Sequence, residues 1–249
     1  MQPSRKFEDL VELVSVLRTE CPWDKKQTHY SIKDNLIEEA YEAIEALDNG
    51  DFDEFKKELG DLLLHVTFHS NIASETDTFD IGDVIFTLME KLIRRHPHVF
   101  GEQVVEGEGE VAENWENIKL KSTLEGLPAN LPALIRAQRM QEKAANVGFD
   151  WPEWKLAWEK LDEELQEFKE ALQENDVNAS SEEFGDILFS IVNVARYFNL
   201  VAEDSLRQTN KKFEHRFRYI ETELKKQNKT VKEASLEQMD KLWEEAKKK

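Results

Sequence analysis

Apolar residues recur along most of this chain at intervals of three and four. Phe7, Leu10, Val11, Val14 and Leu17 begin the pattern, with the spacing that lines one face of a helix. The segment CPWDKKQTH (21–29) breaks it. A second helix is expected over about 31–47. The Asp48-Asn49-Gly50-Asp51 run is a turn, and a third helix follows over about 52–73. A polar stretch, 74–80, leads into a helix over 81–95, which His96-Pro97-His98 stops. Residues 101–110 read as a loop, 115–120 as a short helix and 122–132 as a linker. The plan then returns, with helices over 131–145, 153–174, 181–198, 202–225 and 236–247, a break at 145–152 and a turn at 175–179.

The return is a repeat. Residues 38–71 align without gaps on 163–196, and eleven of 34 positions are identical. The matching positions are the informative part. Glu38, Glu39 and Glu42 fall on Glu163, Glu164 and Glu167, while Glu58, Gly60 and Asp61 fall on Glu183, Gly185 and Asp186. With a one-residue gap, Trp23-Asp24 resembles Phe149-Asp150, and the basic pairs Lys91/Arg95 and Lys212/Arg216 follow at slightly different distances. The chain is therefore expected to be all-α, with two related helical-bundle domains at 1–122 and 123–249.

Each repeat carries E-E-x-x-E, a turn, then E-x-x-D. Residues three or four apart share a helix face, and a short turn makes successive helices antiparallel neighbours. Glu39 and Glu42 are thus expected to face Glu58 and Asp61, and Glu164 and Glu167 to face Glu183 and Asp186. Asp61 lies in ELGDLLLHVTF and Asp186 in EFGDILFSIVNVA. Both runs are apolar around nearly the whole helical wheel, which predicts burial. Buried facing carboxylates cannot all stay ionised without a cation. With oxygen ligands only, and no E-x-x-H anywhere in the chain, the expected ion is Mg2+, with Mn2+ as the alternative. Gly60 and Gly185 weaken their helices by about 1 kcal/mol each relative to Ala, which suggests close approach of a helix or ligand there.

Composition narrows the partners. Gly and Pro number only 9 and 6, against 34% charged residues, so long helices are favoured over a sandwich or barrel. The net charge of −19 repels duplex nucleic acid and anionic membranes. Cys21 is the one cysteine, which excludes an intrachain disulfide and fits a reducing cytoplasm. The start of the chain has no apolar signal-type stretch, and the uncharged, largely apolar run of the second half, 187–195, is far too short to span a bilayer. No phosphate-binding G-x-x-x-x-G-K-[ST] loop and no His-Asp dipeptide occurs.

CPWDKKQTH, the duplicated carboxylate pattern, RRHPHVFG (94–101), WENIK (115–119), LPALIRAQRMQEKAANVGFDW (131–151) and NKKFEHRF (210–217) together resemble the MazG nucleoside triphosphate pyrophosphohydrolases over nearly the whole length. The carboxylate pattern alone marks a broader all-α pyrophosphatase group, and RRHPHVFG and ANVGFDW narrow it to the two-repeat type. The resemblance implies Mg2+-dependent hydrolysis of NTPs and dNTPs to the monophosphate and pyrophosphate by a homodimer. It implies metal ligands at Glu164, Glu167, Glu183 and Asp186, with Glu39, Glu42, Glu58 and Asp61 as first-half counterparts, and catalysis in the second repeat. It also implies nucleotide contacts at Lys119, Lys212, Arg216, Trp243 and Lys247.

On that reading water attacks the α-phosphorus. Glu163, next to Glu164, is the candidate general base, with other glutamates as alternatives. Lys212 and Arg216 share a face suited to the leaving group, and Trp243 and Lys247 to base and phosphate. Trp243, Lys119 and Lys247 equally admit packing or solvated roles. Trp151, Trp154 and Trp158 are expected to pack, as is His65, and His96 and His98 to cap or pack. The first repeat keeps every acid, so its motif leaves open whether that half is active. The alternative function is a non-catalytic metal- or nucleotide-binding helical adaptor.

Overall fold

In a computed structural model of the chain, residues 2–101 and 123–248 are described. Among them are ten α-helices, two 3-10 turns and no strand. The all-α expectation holds. The chain divides into two compact units, Met1–Val111 and Ala112–Lys249. The expected boundary after residue 122, the 115–120 helix and Lys119 lie outside the described residues.

The first unit holds α1 (Phe7–Glu20), a 3-10 turn at Asp24–Lys26, α2 (Lys33–Asp48), α3 (Phe52–Ser74), α4 (Ile81–Arg95) and α5 (Pro97–Phe100). Its hairpin is α2 against α3, with α1 packed on α3. Gly50 takes φ +68° in the turn, and the Asp51 side chain accepts from the Glu54 backbone N–H at 3.0 Å to start α3. Val14, Ile32, Phe68 and Ile72 form the core, with Leu10 against it. Arg18 fastens the 21–29 segment. It pairs with Glu75 at 2.5 Å and donates to the carbonyls of Asp24 and of Gln27, the latter at 2.9 Å. His29 and His69 meet Nδ1 to Nδ1 at 2.8 Å, tying the approach to α2 onto α3. Helix α4 ends at Arg95 as expected. The His96 Nδ1–H donates to the Leu92 carbonyl at 2.6 Å, and Pro97 starts the single turn α5, where its missing N–H costs nothing.

The second unit holds α6 (Ala133–Asn146), α7 (Trp154–Glu174), α8 (Val177–Tyr197), α9 (Ala202–Lys226), a 3-10 turn at Val231–Glu233 and α10 (Leu236–Ala246). Its hairpin is α7 against α8, with α6 packed on α8 and α10 on α9. The turn is shorter than the expected 175–179. Asn175 ends α7 in the left-handed region at φ +56°, and Asp176 caps α8 at once by accepting from the N–H groups of Asn178 and Ala179. Ala157, Leu161 and Val194 close the hairpin. Ile220, Leu224 and Leu242 join α9 to α10. Asp150 bonds Arg196 at 2.5 Å and Tyr197 Oη at 2.8 Å, fastening the 145–152 break to α8.

One expectation fails. The apolar circumference of α3 and α8 predicts burial on every side, Asp61 and Asp186 included. Within each unit both aspartates are exposed. So are Leu59, Leu63, Leu64 and Val66 on α3 and Phe184, Leu188, Phe189 and Ile191 on α8, each between 37% and 51% exposed. The neighbours of each helix within its unit cover only part of its circumference, and the rest of the apolar surface is left open.

Candidate metal centre and adjoining pocket

The hairpins bring together three of the four acids in each repeat. In the first unit Glu39, Glu58 and Asp61 each offer a carboxylate oxygen within 4.8 Å of the others. In the second, Glu164, Glu167 and Glu183 do the same. Glu42 and Asp186 stand outside these groups. They still act on them, because the charge of Glu42 raises the pKa of Glu58 and that of Asp186 raises the pKa of Glu183.

The buried member of each cluster comes from the E-E-x-x-E helix in one unit and from the E-x-x-D helix in the other. Glu58 is 7% exposed and Glu164 is 5% exposed. Desolvation, the charge of Glu42 and a hydrogen bond with Glu39 push the Glu58 carboxyl up to about 7. Desolvation and then Glu164 raise Glu167, against the pull of Lys160. Desolvation and then the charges of Glu167 and Glu164 raise Glu183. Such sites take up either protons or a cation, and their donors are all hard oxygens, the set that suits Mg2+ or Mn2+.

Sequence reasoning missed Lys160. Its Nζ lies 2.7 Å from Glu163 and 2.7 Å from Glu164, and the hydrogen bonds to Glu163 and then Glu164 raise the lysine's pKa. The signal was its position three and four residues before the Glu pair. The counterpart of Lys160 in the first repeat is Asn35, so the two clusters differ in a built-in positive charge. Glu163 is exposed.

Among the described residues, a Cβ at Gly60 or Gly185 would meet no atom within 4 Å apart from its own helix backbone and chain neighbours. The close approach inferred for these glycines is therefore not made by the described residues of their own units.

Beside the second cluster lies a pocket of about 560 Å3. Lys160, Glu164 and Asp186 line its acidic side, and Met140, Phe149 and Phe189 its apolar side. Trp151 also lines it. Trp154 packs on Phe198 at 5.6 Å, in keeping with the packing expectation. His65 sits away from the acids, its ring tilted 6.1 Å from that of His69.

The remaining expected nucleotide contacts fall on α9 and α10. Arg216 lies over the Trp243 ring, 5.4 Å from its centre, and Phe213 packs on that ring at 5.2 Å. Lys247 pairs with Glu244 at 2.5 Å, and Lys212 is exposed. None of Lys212, Arg216, Trp243 and Lys247 lines the pocket beside Glu164.

Fold and site together define a class: an all-α protein whose helical hairpin is repeated, each copy presenting a cluster of hard oxygen donors. Residues 27–100 and 155–220 match the MazG nucleotide pyrophosphohydrolase domain. The chain is 46% identical to the nucleoside triphosphate pyrophosphohydrolase/pyrophosphatase MazG of Thermotoga maritima, over 97% of this chain and 95% of that one. It is 40% identical to a nucleoside triphosphate pyrophosphohydrolase of Escherichia coli, over 91% and 90% of the two. The uncharacterized protein YabN of Bacillus subtilis is 48% identical over 91% of this chain and 48% of its own length. The chain belongs to the MazG nucleotide pyrophosphohydrolase family.

Proposed function

We propose that the chain hydrolyses nucleoside triphosphates to the monophosphate and pyrophosphate, with Mg2+ or Mn2+ held in the second unit by Glu164, Glu167 and Glu183 and by the nearby Asp186. The observation that carries this reading is the continuity of that acid cluster with the adjoining pocket, through Glu164 and Asp186. A bound divalent ion supplies charge neutralisation for the triphosphate and activates water.

The chain's own side chains supply the rest. Glu163, exposed next to Glu164, takes the proton of the attacking water. Lys160, which lines the pocket and pairs with Glu164, would be freed to meet the phosphates once the acids held a cation. Arg216, stacked on Trp243, and Lys212 one turn away carry the charge that stabilises pyrophosphate as it leaves. Lys119 and Lys247 complete the nucleotide contacts. The first cluster, Glu39, Glu42, Glu58 and Asp61, holds metal as well. The active form is a homodimer in which the open apolar faces of α3 and α8 are covered by a second copy. The charge of −19 argues against duplex nucleic acid as a partner. Among the described residues no single helix is long and apolar enough to cross a membrane. A cytoplasmic location accords with the single cysteine.

The test is pyrophosphate release from the eight common triphosphates by wild type, Glu164→Gln and Glu39→Gln. We expect release only with Mg2+ or Mn2+, its loss in Glu164→Gln by at least about a hundredfold, and its retention in Glu39→Gln. Release of single orthophosphate would contradict attack at the α-phosphorus. Tight nucleotide binding without turnover would favour the adaptor.

A further inference from the structure

The pocket beside the second acid cluster is walled on one side by the 148–151 segment, which carries Phe149 and Trp151 into its lining. At its start this segment hangs from the end of α6, where the Gly148 and Phe149 N–H groups donate to the Ala145 and Ala144 carbonyls at 2.9 and 3.0 Å. Further on it is tied to α8. Asp150 Oδ1 accepts from Arg196 at 2.5 Å and from the Trp151 backbone N–H at 3.0 Å. The Tyr197 hydroxyl lies 2.8 Å from that same oxygen and 2.6 Å from the Trp151 carbonyl. Arg196 is itself held, donating to Asn193 Oδ1 from Nε at 3.2 Å and from a terminal nitrogen at 2.9 Å. The Tyr197 ring packs against the Ala157, Leu161 and Val194 cluster, which makes its hydroxyl a fixed point. Burial and then Asp150 raise that hydroxyl's pKa, so it keeps its proton.

Tyr197 is not among the side chains that line the pocket, and it stands about three turns beyond Asp186 on α8. It therefore acts on the pocket through the segment it fastens. The arrangement is peculiar to this unit. At the offset of the repeat, Asn71 stands where Arg196 is, and Ile72, packed in the hydrophobic core, stands where Tyr197 is. The matching segment of the first unit is held from α1 instead, by Arg18 donating to the Asp24 carbonyl. In the second unit the pocket wall is tied to the very helix that supplies Glu183 and Asp186. Phe149, 83% exposed, has little packing of its own to hold it there.

We propose that Asp150 and Tyr197 are positioning residues for hydrolysis at the second site, clamping the 148–151 wall to α8 at a fixed distance from the acids. The proposal rests on the triphosphate reading above and deepens it. A wall that is already in place does not have to be ordered by the substrate, so the clamp lowers the cost of capture. It touches none of the reacting atoms and leaves the chemical step alone. Loss of the clamp therefore raises KM and spares kcat.

The experiment measures KM and kcat for ATP in wild type, Tyr197→Phe, Asp150→Ala, Asp150→Asn and the double variant of the first two. Tyr197→Phe keeps the packed ring and removes only the hydroxyl. It and Asp150→Ala should each raise KM by about tenfold, with kcat within about threefold of wild type. Asp150→Asn keeps an accepting oxygen and should recover most of the loss. The double variant should be about as weak as the poorer single one, because both changes act through one clamp. The Mg2+ concentration for half-maximal turnover at saturating ATP should not move. Hydrogen exchange should quicken in 148–153 and stay slow in α7 and α8, which reports that the hairpin is still folded. An unchanged KM in both single variants, a kcat that falls as far as KM rises, a shifted Mg2+ requirement, losses that multiply in the double variant, or Asp150→Asn as poor as Asp150→Ala would each overturn the proposal. A wild type that turns over no triphosphate defeats the triphosphate reading, and calorimetric titration of the same variants with ATP then decides the clamp. Binding weakened by about tenfold in the single variants supports it. Binding equal to that of wild type, or none by wild type, overturns it.

Discussion

Glu58 departs far from the ordinary behaviour of a glutamate. Its pKa is raised to about 7, so the folded state favours its protonated form. The resulting stabilisation is full below the usual carboxylate range and is lost as pH rises through about 7. In the absence of metal, Glu58→Gln, which mimics the protonated acid, should melt above wild type at pH 8. The difference should close as pH falls toward about 4.5. Magnesium should raise the melting temperature of wild type more than that of the variant. A difference that is constant across this range would remove Glu58 from the first cluster. His69 is lowered by desolvation and by the charges of His29 and His65 in both proteins alike, so the comparison between the two is the informative quantity. At this scale the sequence showed the glutamates and hid Lys160. A lysine three and four residues from a Glu pair is common on any solvated helix, and only its 2.7 Å contact with the buried Glu164 separates it from that background.

The element that matters most is the hairpin. Asp176 starts α8 two residues after α7 ends and so sets the register that brings Glu183 to Glu164 and Glu167. Asp176→Ala should cost about 1 kcal/mol in urea unfolding, the usual value of an N-cap. It should also reduce the magnesium-induced rise in melting temperature, while an unchanged rise would mean that packing alone holds the register. The hairpins were legible because turn residues and helical periodicity are local signals. The start of α8 was read four residues late, since Asn175 to Ala179 looks like a loop until Asp176 is seen to cap within it. The exposure of Asp61 and Asp186 was not legible at all. An apolar circumference tells that a helix is covered and is silent on whether its own chain does the covering. The pocket escaped for a related reason, being a space between α6, α7, α8 and the 145–152 segment rather than a property of any one of them.

For the molecule as a whole, the open faces of α3 and α8 are an unfinished surface. Exposed apolar side chains in continuous runs mark interfaces in soluble proteins. Light scattering should find two copies of the chain associated at micromolar concentration, and Leu63→Glu together with Ile191→Glu should leave single chains. A wild type that stays single would require a different occupant for both faces. Duplication, by contrast, was plain from the sequence, because acids, glycines and turn residues recur at one constant offset.

Gly60 and Gly185 sit mid-helix with open space around them, each replaceable by alanine as far as the surrounding atoms are concerned. An engineer seeking heat resistance would choose them first. Because none of the described residues requires their lack of a side chain, a requirement for glycine would come from what docks against these helices. The same two changes that harden the isolated chain would then put a methyl group in the way of its working assembly.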